Sequence, residues 1–303
     1  HSNPFNKIII FTNHICFSAL ILYETPKKMK EKTKLKGLEI RELYTEDDID
    51  QCIELQGKIW GLDTLGKMSP ITMKALVAKH PGLGFVTAAF LKDKMIAIQI
   101  VLASVEPRTV YGHMLGIVEE YRSMHIGAYM QEHLFGILQA QNIERMLWTY
   151  EPLEGRNANN YLDKSGARVI QYLPDYYHVN NVMSDGMPID RFLAEVRLDD
   201  EYHKSGQTQR NPGLSFEEAM AKIPIATKEY LPEEEKILVE IPADLQQLKH
   251  ENMEEAIRCR FETRYIFSEY INKRAYISEY LFSGITKGQR RNYYLLQKSK
   301  RES

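Results

Sequence analysis

Apolar and polar residues fall into order along this chain from position 38. Leu38, Ile40 and Leu43 recur among polar neighbours over residues 38–44, which predicts a strand. Thr45 can cap the next helix, with Asp47 and Asp48 in its first turn complementing the helix dipole. Ile49, Cys52, Ile53, Gln56 and Ile59 follow at helical spacing, and Gly61 ends them. Ser69-Pro70 opens a second helix that carries Met73, Leu76 and Val77 inward, and His80-Pro81-Gly82 stops it. Residues 84–91 and 95–105 read as a hairpin around the turn Lys92-Asp93-Lys94. Residues 108–118 form a further strand, a polar stretch from Glu119 to Arg122 breaks it, and a helix runs over 126–141. A short strand at 145–150, a short helix at 157–164 closed by Gly166, and strands at 169–179 and 191–198 complete this unit.

A meander followed by a crossover helix implies a mixed sheet with helices on its faces. Residues 201–235 read as a linker, since 199–213 is polar and glycine-bearing. A smaller α/β unit follows over 236–303. It has a strand at 236–241 and a long helix opened by Pro242-Ala243-Asp244, with Leu245, Leu248, Met253, Ile257, Phe261 and Tyr265 on its apolar face. A closing hairpin spans 275–282 and 292–296, with a basic loop between. Residues 1–37 lack this order. The apolar run at 8–23 is interrupted by Thr12, Asn13 and His14 and falls short of the roughly 20 apolar residues a membrane span needs. It reads as a leader or disordered extension with Met29 as a candidate start, the alternative being a genuine signal or anchor behind Lys7.

Composition adds little to this picture. The 303 residues are 44% hydrophobic and 26% charged, ordinary for a globular chain. A net charge of -2 shows none of the basic excess of nucleic-acid binders. Cys16, Cys52 and Cys259 are odd in number and far apart, so neither a disulfide framework nor a zinc site is expected, and a reducing cytoplasm fits. Neither a metal nor a membrane partner is expected; a homodimer is left open.

The chemistry is concentrated in the run from Leu115, Gly116, Ile117 and Val118 through Arg122, Ser123, Met124 and His125 to Ile126, Gly127 and Ala128. Strand, polar loop and helix N-terminus in this order offer unpaired N–H groups and a positive dipole end to a pyrophosphate. The run resembles the coenzyme A loop of the GNAT acyltransferase superfamily, R/Q-x-x-G-x-G/A: Arg122 fills the first position and Gly127 the last, while His125 replaces the middle glycine. The element order from 38 to 198 is similar as well. The segments 113–116, 148–158, 164–167 and 172–177, with later stretches at 239–244 and 293–296 and the pair Arg260 and Arg264, resemble a subgroup of predicted GNAT acetyltransferases of about this length. That resemblance implies an α/β, GNAT-like, mostly antiparallel sheet flanked by helices, with acetyl-CoA or another acyl-CoA as cosubstrate and the amine of a small molecule or amino acid as acceptor. It implies that the strand 115–118 pairs with the pantetheine arm and that Asn157 contacts the cofactor. The family's general-acid tyrosine lies four residues before the glycine closing the next helix; here that position is Leu162, and Tyr161 is its neighbour.

Attack on a thioester needs a neutral amine. His113, ahead of the pantetheine segment and with an ordinary pKa near neutrality, is the first candidate base, or else a core histidine. Glu151 is a second base or a substrate anchor, or a turn residue before Pro152. Tyr177 is a candidate substrate contact on a late aromatic strand with Tyr176 and His178. Arg260 and Arg264 share a helix face; they hold a carboxylate or phosphate, for instance of succinyl-CoA, or pair with Glu262 or Glu269 on a solvated face. A non-catalytic coenzyme A sensor is the remaining alternative.

Overall fold

The computed structural model describes residues 37–62, 66–78, 82–177, 186–205 and 209–299. The expectations for residues 1–36, for the helix stop at His80-Pro81 and for His178 lie outside them. The elements are β1 (Leu38–Glu42), α1 (Glu46–Trp60), α2 (Pro70–Val77), β2 (Gly84–Leu91), β3 (Lys94–Ala103), β4 (Thr109–Ile117), α3 (Ile126–Ala140), β5 (Arg145–Tyr150), α4 (Gly155–Ala158), β6 (Arg168–Leu173) and β7 (Arg191–Arg197). They continue with α5 (Glu201–Lys204), α6 (Phe216–Lys222), β8 (Lys236–Ile241), α7 (Leu245–Glu251), α8 (Met253–Phe267), β9 (Tyr276–Thr286) and β10 (Gln289–Lys298).

All ten strands join one sheet in the order β1-β2-β3-β4-β5-β7-β6-β9-β10-β8. Every described pairing in it is antiparallel except β4 with β5. The fold is therefore the mixed, mostly antiparallel sheet with flanking helices that the GNAT resemblance implies. Helices α1 and α2 cover one face of β2–β4 through Cys52, Leu55, Met73 and Ile98, and α3 covers the other through Ile126, Tyr129 and Met130. The α1 cap is the one read from sequence: Thr45 accepts from Asp48 N–H and Asp48 returns the bond, while Gly61 closes the helix in the left-handed region at φ 65°.

Differences from the sequence reading have local causes. Strand β6 stops at Leu173, not 179, because Pro174 and Asp175 turn the chain, Asp175 at φ 53° with its N–H held 2.8 Å from Asp190 Oδ1. Tyr176 and Tyr177 are thus exposed on a loop. The long helix is broken at Asn252, which leaves helical geometry (φ −155°, ψ 86°) and caps α8 through Glu255 N–H. Its inward stripe is then Ala256, Arg260, Thr263 and Phe267, and the predicted core residues Phe261 and Tyr265 face solvent. The expected linker 201–235 carries α5 and α6. One apolar cluster joins Trp148, Tyr150 and Phe192 to Phe267, Leu281 and Tyr294, so the core runs through the two units without interruption.

Candidate active site

Strand β4 carries the decisive irregularity. Its register with β3 runs Ile100↔Met114 and then Val101↔Gly112, so His113 is an unpaired extra residue, a β-bulge. On its other edge β4 pairs with β5 only from Thr109↔Arg145 to Gly112↔Trp148. Beyond the bulge the two parallel strands part, and residues 113–117 present an open edge. Val118 N–H donates to Ile96 O on the β3 side at 2.9 Å. By alternation Gly116 also faces β3, while the peptide groups of Leu115 and Ile117 turn into the gap. Of the segment expected to line the cofactor, Leu115 and the N–H of Ile117 therefore offer main chain to a ligand and Gly116 and Val118 do not, Ile117 O being taken by Arg122. Gly116 serves packing instead. An added Cβ would meet Trp60 of α1 at 2.5 Å, so glycine lets α1 lie against the strand.

A small cavity of about 50 Å³ occupies the gap. His113, Leu115, Trp148, Thr149 and Tyr161 line it together with Gln99 and Gln131. His113 stands exposed at its mouth, and the surrounding protein lowers its pKa below the ordinary value of 6.5 by desolvation. Tyr161 packs its ring 5.2 Å from Trp148 and 5.3 Å from Tyr150, and desolvation raises its pKa above 10.0, so it stays protonated at neutral pH. It reaches the cavity because α4 continues as a π-turn over Asn159–Lys164, which inserts one residue into the helical count. Five residues, not four, then separate the cavity-facing position from Gly166, and Leu162 is fully buried instead. Asn157 stands four residues before Tyr161 on the same helix, half-buried.

The loop after β4 is open to an anion. Ser123 and His125 both take left-handed backbone, φ 65° and φ 62°, and His125 occupies the N-cap position of α3 without a side-chain cap bond. Among the described residues, no backbone or side-chain acceptor partners the N–H groups of Ser123, Met124, His125, Ile126 and Gly127. Such a concavity at a helix N-terminus suits a diphosphate. The His125 side chain is exposed, as are Met124 and Ala128, so it does not plug the cavity between the strands. Arg122 is exposed and donates through Nε to Ile117 O at 3.3 Å, which places its charge between loop and strand edge. Gly127 has helical backbone, and a Cβ there would meet only Ile117 Cδ1, at 3.4 Å. No positive φ requires glycine there, and its lack of a side chain leaves the helix end bare.

Three sequence candidates lie elsewhere in the electrostatics. Glu151 pairs with Arg260 and accepts from Leu153 N–H at 2.9 Å, so it is neither a free base nor a free anchor. Arg260 is wholly buried, with Asp190 3.8 Å from its second nitrogen. Arg264 holds Asp190 with Nε at 2.9 Å, and Tyr172 donates to the same carboxylate. Neither arginine is free to take an acyl carboxylate, and neither pairs with Glu262 or Glu269, which bind Arg258 and Lys273. Glu154 accepts from Gln246 at 3.2 Å. Asn292, Gln246, Arg260 and Tyr294, whose hydroxyl donates to Pro152 O at 2.8 Å, thus clamp residues 151–155 from the C-terminal side.

Sequence reasoning missed Gln99 and Arg191. Gln99 is buried in β3, its Oε1 lacks a partner, and it lines the cavity. The signal was a lone glutamine in an otherwise apolar strand. Trp148 Nε1, also buried and unpartnered, belongs to the same cavity. A larger concavity of about 680 Å³ lies between α5 and β8–β10, lined by Lys204, Arg210, Lys236 and Glu279, and touches none of the candidate residues. Among the described residues, no group of three His, Cys, Asp or Glu is placed to hold a metal, and no helix is long and apolar enough to cross a membrane.

No family profile and no curated protein matches the chain. Solved structures do. The ribosomal-protein-S18-alanine N-acetyltransferase of Escherichia coli is 13% identical, over 58% of this chain and 98% of that one, with a TM-score of 0.44. A GNAT-family acetyltransferase of Streptococcus pneumoniae is 18% identical, over 53% and 98%, with a TM-score of 0.45. An N-acetyltransferase of Staphylococcus aureus is 12% identical, over 54% and 99%, with a TM-score of 0.44.

Proposed function

We propose that the protein is a GNAT-type N-acetyltransferase that moves an acetyl group from acetyl-CoA to the amine of a small molecule by direct attack in a ternary complex. One observation carries the reading: the strand edge that opens at the His113 bulge leads from a loop of unpartnered N–H groups to a cavity holding a candidate base and a candidate acid. The diphosphate fits the 123–127 loop beside Arg122, the pantetheine arm fits the main chain of Leu115 and the N–H of Ile117, and Asn157 flanks the path.

In this arrangement β4 fixes the thioester, and an N–H of its open edge polarises the carbonyl where negative charge develops. His113, neutral above its lowered pKa, accepts the ammonium proton so that the amine lone pair can attack. Tyr161 supplies a proton to the departing thiolate. The remainder of the rate comes from holding both reactants in one cleft. The small cavity favours a two-carbon acyl group; Arg260 and Arg264, the anchors considered for a succinyl carboxylate, are committed to Glu151 and Asp190.

Calorimetry with acetyl-CoA, paired with a thiol-release assay over pooled amines, tests the reading. Wild type should bind and turn over, and Gly127→Glu should abolish binding by placing a carboxylate where the diphosphate belongs. Binding without turnover on any amine would favour a coenzyme A sensor; no binding of any acyl-CoA would end both readings.

A further inference from the structure

Arg191 is the first residue of β7 and opens the strand that lies beside β5. Phe192 turns into the aromatic core with Tyr150 and Tyr294, so Arg191 projects from the opposite face, the face of Thr149 and Leu193, which pair across the strands. Thr149 lines the cavity between β4 and β5, and Tyr111 lies with its hydroxyl 3.4 Å from the Thr149 hydroxyl. The Arg191 guanidinium stands 5.5 Å over the ring of Tyr177, a residue already singled out as a substrate contact. Its positive charge is felt by the hydroxyls of both Tyr111 and Tyr161, and in each case it favours the ionised form.

Most other arginines around this end of the sheet are spoken for. Arg260 and Arg264 hold Glu151 and Asp190, Arg168 holds Glu195, and Arg210 holds Glu279. Arg191 is different: among the described residues, no carboxylate and no hydrogen-bond acceptor partners any nitrogen of its side chain; its Nε is buried without a partner, as are those of Arg210 and Arg260, but those two guanidinium groups are held elsewhere by Glu279 and Glu151. An inward nitrogen stripped of water and left unbonded is costly, which is expected of a group that waits for a ligand. A guanidinium also offers the planar fork that matches a carboxylate in two bonds.

We infer that Arg191 is the acceptor's anion anchor: the amine substrate carries a carboxylate, held by Arg191 beside Tyr177 and Tyr111, while its amino group points past Thr149 toward His113. Amino acids are the simplest such class. This rests on the proposed acetyl transfer for its meaning, but the anchor itself is a binding claim that stands apart from turnover.

The experiment pairs the two. Binding of a panel of free amino acids and their primary amides is measured by calorimetry on wild type and on Arg191→Met, in the presence of coenzyme A, and acetyl transfer to the same panel is measured separately. At least one amino acid should bind ten- to a hundredfold tighter than its amide, the range expected for a charged hydrogen-bonded pair, and Arg191→Met should erase that preference while leaving acetyl-CoA affinity unchanged. Arg191→Lys should keep part of it. In turnover, the loss should appear in KM more than in kcat. Equal binding of acids and amides, or a preference that survives in Arg191→Met, overturns the anchor even if the enzyme acetylates amines. Carboxylate binding that depends on Arg191 with no acetyl transfer would keep the anchor and remove the transferase reading.

Discussion

His113 gains its position from the backbone. A β-bulge turns it out of the β3–β4 register at the place where β5 departs, so one irregularity both exposes the ring and opens the strand edge beside it. Because desolvation lowers the imidazole pKa below 6.5, the neutral form that can accept a proton persists to more acid pH than for a free histidine, and it is lost as pH falls through the lowered value. The acid limb of kcat/KM should therefore lie below 6.5, and His113→Ala should lower the rate at least about tenfold and remove that limb, with acetyl-CoA affinity unchanged. Unaltered turnover with a reduced melting temperature would make His113 a packing residue. Tyr161 teaches the complementary lesson. The histidine was legible in sequence as a titratable group in a strand, but the tyrosine's placement was not, since a count of four from Gly166 assumes α-helical geometry and the π-turn at Asn159–Lys164 changes the count. Tyr161→Phe keeps the ring contacts with Trp148 and Tyr150 and removes only the hydroxyl. It should lower kcat and spare both stability and acetyl-CoA binding. His125 is a third case: a non-glycine at φ 62° costs roughly 1–2 kcal/mol. His125→Gly should raise stability by about that amount, less the entropy a glycine adds to the unfolded chain. It should alter acetyl-CoA affinity less than about tenfold, as measured by denaturant titration and calorimetry, because the ring is exposed.

At the level of elements, most starts and stops were written in the chain. Thr45, Gly61, Ser69 and Pro70 act through their own backbone preferences and do so where expected. What sequence could not show was which face of α8 turns inward. The apolar residues Phe261 and Tyr265 suggested one stripe; the break at Asn252 resets the phase, and a buried Arg260 takes the inward position because Glu151 waits for it at the end of β5. A partner 109 residues away is invisible to any local pattern. This pair fixes the loop from which α4, with Asn157 and Tyr161, sets out. Removing Arg260 leaves the largely buried Glu151 carboxylate with Leu153 N–H but without its counter-charge, so Arg260→Met should destabilise the fold by up to about 3–5 kcal/mol in a urea titration. Adding Glu151→Leu should restore much of that loss, because the orphaned carboxylate is then gone. Equal instability of the single and double variants would mean that packing around the Arg260 stem, not charge, is what α8 contributes.

The whole molecule is organised around a sheet that does not end where the candidate site's own strands end. Beyond β6 the sheet continues into β9, β10 and β8, although the β6–β9 junction is a single residue pair, Val169↔Ser278. Backbone pairing so sparse cannot hold two units together; side chains do. Phe192 packs 4.7 Å from Phe267 and 5.2 Å from Tyr294, and Tyr172 packs 5.6 Å from Phe267, ring centre to ring centre. The same C-terminal elements supply Arg260 and Arg264 to Glu151 and Asp190. The sequence pattern placed a boundary between two units here because polar residues separate them, yet the apolar faces of β6 and β7 are completed only by the later segment. Burying a large side chain contributes about 1.5–3 kcal/mol, so uncovering Tyr150, Tyr172 and Phe192 together removes an amount comparable with the roughly 5–15 kcal/mol of net stability of a whole domain. A chain cut after residue 235 should therefore aggregate or lose fixed tertiary packing, and the full chain should unfold in one thermal transition with acetyl-CoA binding lost along the same curve. Calorimetric scans of both, with near-ultraviolet circular dichroism of the fragment, test this. A shortened chain that keeps its aromatic signal and binds acetyl-CoA would show that the C-terminal strands are an addition to a self-sufficient fold, and that the clamp on residues 151–155 is dispensable.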